Sequence, residues 1–566
     1  MKLLDYLERI ASSLGTSMSS RERKAIMASV SIIVIAAIWG ITIFIHERTT
    51  LIPKEGGIYR EGTVGQPRYI SPILARTNDI DMSISRLVYS GLMRIDEKGD
   101  LVPDLAEKVD ISEDGKIYTA HLRNNIAWHD EESFNADDVV FTIQLIQNSE
   151  AKSPASPAFQ GVTVAKVDDN TVTFTLSTPY APFLYNLTQG IIPEHVWASV
   201  EPKNISLAEQ NVKPIGTGAF VFKKLKKSSM GEIREYELSR SEKFYGQRPF
   251  LDGIRFTFYN SNEELLRAFS SHKVDGMSFV PPTLISDVSK VHNAKIVRVK
   301  LPQYFAVFFN QTHQPILADK TVRIALDLAI DRDKLIRDAL HNEGTRIDTP
   351  IPPGFLGYVE GLGRVEYNPE KAKQNLDDAG WKVGNDNGIR EKDGKKLSFT
   401  LITTDWEEYT KTAEILAEFW RAIGADVKLE SSTVGTIQSD VIRPREYDAL
   451  FYGEILGADP DPYPFWHSTA TRDPGLNLAL YKDSESDKLL ESARKTTDIE
   501  ARKELYKKFQ ERLIEAVPAL FVYSPIYDYA LQGNVHGTML DAIQLPAQRF
   551  NTISTWYLKT KRIWKK

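Results

Sequence analysis

The chain contains no cysteine. That excludes disulfides, thiolate metal sites, a cysteine nucleophile and a lipid-bearing N-terminal cysteine. It also lacks a basic surplus: 70 Lys and Arg stand against 76 Asp and Glu, a formal net charge of −6. A nucleic-acid partner wants a basic surface, so this balance argues against one. No G-x-S-x-G, H-E-x-x-H or P-loop pattern is present. The ten histidines are scattered without ligand spacing. His129-Asp130-Glu131-Glu132 reads as a solvated turn rather than a metal site. Gly216-Thr217-Gly218 lacks the third glycine of a dinucleotide fingerprint and reads as a tight turn into a strand. No fixed-period repeat is visible, which argues against a solenoid or propeller. None of these features asks for an enzyme, a metal or a cofactor.

What is present begins with one long apolar run, residues 26–45. It carries no charge, and twenty residues at about 1.5 Å each span roughly 30 Å, one hydrocarbon core. Arg21, Arg23 and Lys24 precede it, so residues 1–25 are expected inside and the remainder exported. A cleaved signal has an apolar region of about 7–15 residues ending in small side chains. This run is longer and closes on Trp39, Ile41, Ile43, Phe44 and Ile45, which predicts an uncleaved single-pass anchor in the cell membrane. Leu3, Leu4, Leu7 and Ile10 share a helical face, as an interfacial helix would place them; a frayed tail fits equally. Residues 46–57, polar with Pro53 and a Gly-Gly pair, read as a tether.

Beyond the tether the composition, 42% hydrophobic and 26% charged, is that of a soluble globular protein. Strand-like runs at 116–123, 171–176, 254–259 and 304–310 alternate with helical patterns. A helix is expected after Asp319 as N-cap, a second from Asp333, and amphipathic stretches over 410–423 and 484–517. The chain is α/β, with room for two or three domains. One acidic site stands out: within 456–466 (LGADPDPYPFW), Asp459 and Asp461 lie among aromatics and three prolines. A carboxylate there needs a cation or donors. A ligand ammonium would serve, and so would Asx-type turn bonds ahead of Pro460 and Pro462.

Residues 105–146 resemble the family 5 extracellular solute-binding proteins, the oligopeptide, dipeptide and nickel receptors of ABC importers. The similarity rests on Leu105-Ala106, Asp114-Gly115-Lys116, Tyr118-Thr119, Leu122-Arg123 and Ala136 to Phe141. It continues at 192–196, at Gly216-Thr217-Gly218, at 322–332 and at 367–372 with Ala379-Gly380-Trp381. The resemblance implies a two-lobed clam-shell α/β fold, periplasmic-binding-protein type II-like, with an extra subdomain and one preceding transmembrane helix. Lobe I would be discontinuous, residues 58–97 with 214–305 and 525–566; its subdomain would be 98–213 and lobe II 306–524. The implied function is capture of short peptides between the lobes and delivery to ABC permease subunits, with no covalent chemistry and no cofactor. Another small solute (a nickel chelate or a sugar), or a sensory or scaffold role, is the alternative. By position Asp459 matches the family's ammonium-binding aspartate, although the spacing also suits Asp461. Tyr304 and Phe305 fall where a family strand passes the cleft, and Trp466 closes the acidic stretch. One departure concerns the backbone: Glu131 stands where the family usually has glycine, so that turn must differ or be strained.

Overall fold

The computed structural model describes residues 19–96, 99–384, 388–457, 459–538 and 542–565. The face expected at Leu3, Leu4, Leu7 and Ile10 lies outside them. The apolar run is one helix, Ser20–Arg48. Ser19 caps it: its hydroxyl accepts from the Glu22 N–H, and the Glu22 carboxylate accepts from the Ser19 N–H at 2.8 Å. Every described side chain from Ser20 to Arg48 is exposed, and among the described residues this is the one helix long and apolar enough to cross a membrane. The tether is more ordered than its composition implies. Thr49–Lys54 forms a strand paired antiparallel with Lys559–Trp564, and Phe44 meets Trp564 edge-on at 6.3 Å. A strand is stable only with a partner, and this partner lies at the far end of the chain.

The body is organised by one long strand, Ala519–Gln532. Its first half pairs with Gln303–Phe309 and Gly344–Arg346; its second half pairs with Ala294–Lys300 and Gly276–Met277. On one side the sheet continues through Ile58–Val64, Gly253–Tyr259, Ile233–Arg240 and Phe220–Lys227. On the other it continues through Ala449–Ile455, Ser398–Thr404 and Asp426–Ser432. Two cores result on the second side, and the strand Gln303–Phe309 shows why. Phe305, Val307 and Phe309 enter one core, and Tyr304, Ala306 and Phe308 the other, the period-2 alternation of a strand covered on both faces. The first side has its own core, which includes Tyr59, Phe256, Tyr529 and Trp556. The chain passes between the two bodies at residues 300–303 and 524–526, each time through a proline.

A four-stranded antiparallel sheet (Ala106–Ile111, Ile117–Leu122, Thr171–Leu176, Val162–Asp168) adds to the first body and shares its core. The helix Ala136–Gln147 packs on it, opened by a capping box of Asn135 and Asp138. Buried Asp138 also accepts from the Trp128 indole at 3.2 Å and from the Glu194 N–H at 2.8 Å. It thereby ties the stretch 105–146 to the segment at 192–196.

The glycines at 216 and 218 do lead into a strand, and their reason is close approach. A Cβ on Gly216 would stand 1.9 Å from the Val88 carbonyl oxygen, and the Gly218 N–H donates to that oxygen at 2.8 Å. The turn at Glu131 takes the strained branch of the alternative: φ is +76°. A Cβ in that region costs about 1–2 kcal/mol, of which glycine's extra unfolded-state freedom takes back part. Glu131 also pairs with Lys243 at 2.8 Å, but both are exposed and such a pair contributes little. Glu131→Gly is therefore expected to raise stability by about 0.5–1 kcal/mol, read from urea unfolding. Loss of stability would show that the turn is not strained.

Candidate functional site

Between the two bodies lies a cavity of about 910 Å³. The first body supplies the helix Asp79–Val88 with its flanks and the turns around Pro546–Phe550. The loop carrying Tyr180 and Tyr185 closes one side, and the second body contributes Ile455, Gly457 and Asp459. A helix, turns and strand ends thus form the walls, while the sheets behind them hold the geometry.

Asp459 reaches this cavity, and it is already ion-paired. Arg502, on the helix Ile499–Ala516, donates from Nη2 to both carboxylate oxygens at 2.7 and 2.6 Å and also to the Tyr506 hydroxyl at 2.9 Å. Burial raises the Asp459 carboxyl above its ordinary value, and Arg502 pulls it back. Burial works against the Arg502 charge, but Asp459 and Tyr506 outweigh it and hold the guanidinium above its usual range. Asp461 is paired too: Arg494 Nε and Nη2 approach its Oδ2 at 2.7 and 2.6 Å. Its other oxygen accepts from the Tyr463 N–H at 3.1 Å, the Asx-type turn bond foreseen ahead of Pro462. The Arg494 guanidinium lies 3.6 Å from the Tyr463 ring centroid and 5.4 Å from that of Tyr180. Its backbone carbonyl accepts from the Ala181 N–H at 2.7 Å, so this pair also touches the first body.

The three aromatic candidates do not line the cavity. Tyr304 and Trp466 are fully buried in the same core, where the indole N–H donates to the Tyr304 hydroxyl at 3.2 Å. The Tyr304 hydroxyl also bonds to Glu454, whose carboxyl burial drives well above the usual range. Phe305 stacks on Tyr523 in the other core, ring centroids 5.0 Å apart. Alternation on a strand covered on both faces leaves neither neighbour free to face a ligand.

Sequence reasoning passed over the arginines. Arg494 and Arg502 follow their partners by 33 and 43 residues and stand in unremarkable charged helices. Arg76, Arg86 and Arg94 line the cavity from three consecutive elements. No local spacing marks any of the five.

A second acidic cluster sits where the chain passes between the bodies. Arg298 donates to the two Glu343 oxygens at 3.0 and 2.9 Å and stands 3.7 Å from Asp528. Burial, then the Glu343 charge, raises the Asp528 carboxyl from 3.8 to about 7, with Arg298 acting the other way. A carboxyl whose folded value is raised binds its proton better when folded. Its contribution is complete below about pH 4 and is lost as pH rises through about 7. Asp528→Asn should remove that slope: no gain near pH 4, growing to about 2 kcal/mol above pH 7 once solvent screening is allowed for. Urea unfolding across that range checks it, and parallel wild-type and variant curves would refute the assignment.

Comparison with known proteins gives a consistent result. A family model for bacterial extracellular solute-binding proteins, family 5 Middle, matches residues 100–475. The oligopeptide-binding protein AppA of Bacillus subtilis (strain 168) is 29% identical over 514 residues, 89% of this chain and 92% of that protein. The structure of AppA in complex with a nonapeptide aligns with a TM-score of 0.68 at 28% identity, covering 90% of this chain and 100% of that one. NikZ from Campylobacter jejuni, in complex with Ni(L-His), aligns with a TM-score of 0.69 at 28% identity, covering 89% and 100%.

Proposed function

This chain belongs to the bacterial extracellular solute-binding proteins of family 5, and we propose on that ground that it captures short peptides between its two bodies for an ABC importer. The observation that carries the reading is the cavity of about 910 Å³ walled by both bodies, which are joined by two strand crossings. That volume lies within the range of ligand sites, about 300–1,000 Å³. Two crossings beside each other form a hinge, so the bodies close on a ligand and open to release it. AppA, bound to a nonapeptide in its structure, supports peptide as the cargo. The helix Ser20–Arg48 holds the protein in the cell membrane with the large C-terminal part outside, where the permease subunits of the importer receive the peptide. In this reading lobe I is residues 58–97 with 214–305 and 525–566, its subdomain 98–213 and lobe II 306–524, and the hinge is the pair of crossings through Pro302 and Pro525.

The test is thermal unfolding of the full chain in detergent against di- to hexapeptides, sugars and nickel–histidine. A ligand at about 100 times its Kd adds roughly 2.7 kcal/mol to the folded state. Stabilisation by peptides is the expected result. No shift with any peptide and a clear one with another solute would overturn the peptide reading.

A further inference from the structure

The charge on the cavity walls is not balanced. On the second body Asp459 is neutralised by Arg502, and beside it Asp461 by Arg494. On the first body three guanidinium groups face the cavity. Arg76 lies in the short turn Ala75–Thr77, Arg86 in the last turn of the helix Asp79–Val88, and Arg94 on the strand Met93–Ile95. Because these elements follow one another along the chain and fold against the same core, all three reach one wall.

None of the three has an ion-pair partner among the described residues. Arg86 donates from Nε to the Asn551 side-chain oxygen at 2.6 Å, which leaves the outer N–H groups of its fork toward the cavity. Arg76 and Arg94 make no hydrogen bond to a described residue. Burial lowers Arg86 to about 10, with Asp104 opposing the shift and Arg94 adding to it. Burial lowers Arg76 as well. Arg86 is half-buried, whereas Arg76 and Arg94 stay exposed to the cavity, and neither Arg76 nor Arg86 feels the upward pull of a carboxylate at contact that Asp459 exerts on Arg502. Asp104 also lines the wall, but its carboxyl is raised by burial and already accepts from the Tyr245 hydroxyl at 2.7 Å. Three cations against one such carboxyl leave the wall with a surplus of about two positive charges.

We infer that the ligand carries at least two carboxylates that meet Arg76, Arg86 and Arg94, the bidentate partners a guanidinium fork fits. The inference rests on the reading of the cavity as the ligand cleft. On the peptide reading the cargo is a peptide with acidic side chains as well as its C-terminal carboxylate. The two aspartates then hold the opposite wall rather than an ammonium.

The experiment is calorimetric titration of the full chain in detergent with four probes at one ionic strength. They are tetra-alanine, the same peptide with two central glutamates, the same with two central lysines, and a non-peptide tricarboxylate. The glutamate peptide should bind roughly 10- to 100-fold tighter than tetra-alanine, the scale of hydrogen bonds to charged groups, and the lysine peptide weaker still. Arg76→Gln and Arg94→Gln should each shrink that preference. Neither breaks a bond to a described residue, and unliganded unfolding curves confirm that each variant folds. Equal affinity for all three peptides, or a glutamate preference untouched by both variants, overturns the inference while peptide capture stands. Arginine-dependent binding of the tricarboxylate alone supports it and overturns peptide capture. Binding of none of the four overturns both.

Discussion

Replacing Arg502 with methionine is expected to lower folding stability by about 3–5 kcal/mol at neutral pH. The guanidinium and the Asp459 carboxylate are almost wholly buried, with side-chain exposures of 5% and 2%. Methionine keeps most of the volume, so packing changes little and the loss measures an uncompensated buried carboxylate. Asp459 must then take up a proton to stay buried, and burial already holds its carboxyl above the ordinary value with Arg502 opposing. Removing Arg502 raises it further. A raised folded value gives stability that is present in acid and lost as pH rises, so the deficit of Arg502→Met should shrink on acidification. Adding Asp459→Asn to Arg502→Met should recover most of it, because the double variant buries no charge. Urea unfolding at two pH values with these three variants checks the argument. A pH-independent deficit, or no recovery in the double variant, would mean that lost packing rather than the unpaired buried carboxylate dominates.

Arg549→Met is expected to cost a similar amount, about 3–5 kcal/mol, through a pair that closes the first body. Arg549 donates to Glu61 Oε1 from Nε and Nη2 at 3.0 and 2.8 Å. Its Nη1 donates to the Ser83 hydroxyl at 3.0 Å and to the Pro546 carbonyl at 2.9 Å. Glu61 lies on the strand Ile58–Val64 and Ser83 on the helix Asp79–Val88. One guanidinium thus fastens the C-terminal segment to two early elements, 488 residues away in the case of Glu61. Burial opposes its charge, but Tyr527 and Glu61 hold it above the ordinary arginine value, and burial with the Glu61 charge drives the Tyr59 hydroxyl upward. Arg549→Lys should rescue little, because a point ammonium lacks the planar fork that reaches three acceptors at once. Hydrogen exchange should report the loss first in residues 542–556. Full protection there in the methionine variant would show that other contacts hold the segment.

Local rules carried much of the fold. The period-2 runs at 171–176 and 254–259 are the strands Thr171–Leu176 and Gly253–Tyr259. Asp319 caps Lys320–Leu328 as its short carboxylate and the following stripe imply. The next helix starts at Arg332 with Asp331 as its cap, where Asp333 was expected, because two aspartates compete and the chain selects the one that caps a buried face. The stretch 484–517 breaks into Ser484–Lys495 and Ile499–Ala516, since Asp498 caps a new helix and two threonines precede it.

The sequence by itself determined the apolar helix and the alternation of strands and helices. Each of these follows from backbone sterics and side-chain period within a few residues. Only the tertiary structure decided where charge is free and where it is spent. From the sequence Asp459 and Asp461 could meet a ligand cation or make turn bonds, and in the fold arginines 43 and 33 residues later pair with them. The sequence offered no reason to notice Arg76, Arg86 and Arg94, which stand on the cavity wall without an ion-pair partner among the described residues. Coulomb interaction depends on distance in space and on burial, and neither is encoded in the order of residues near a charge.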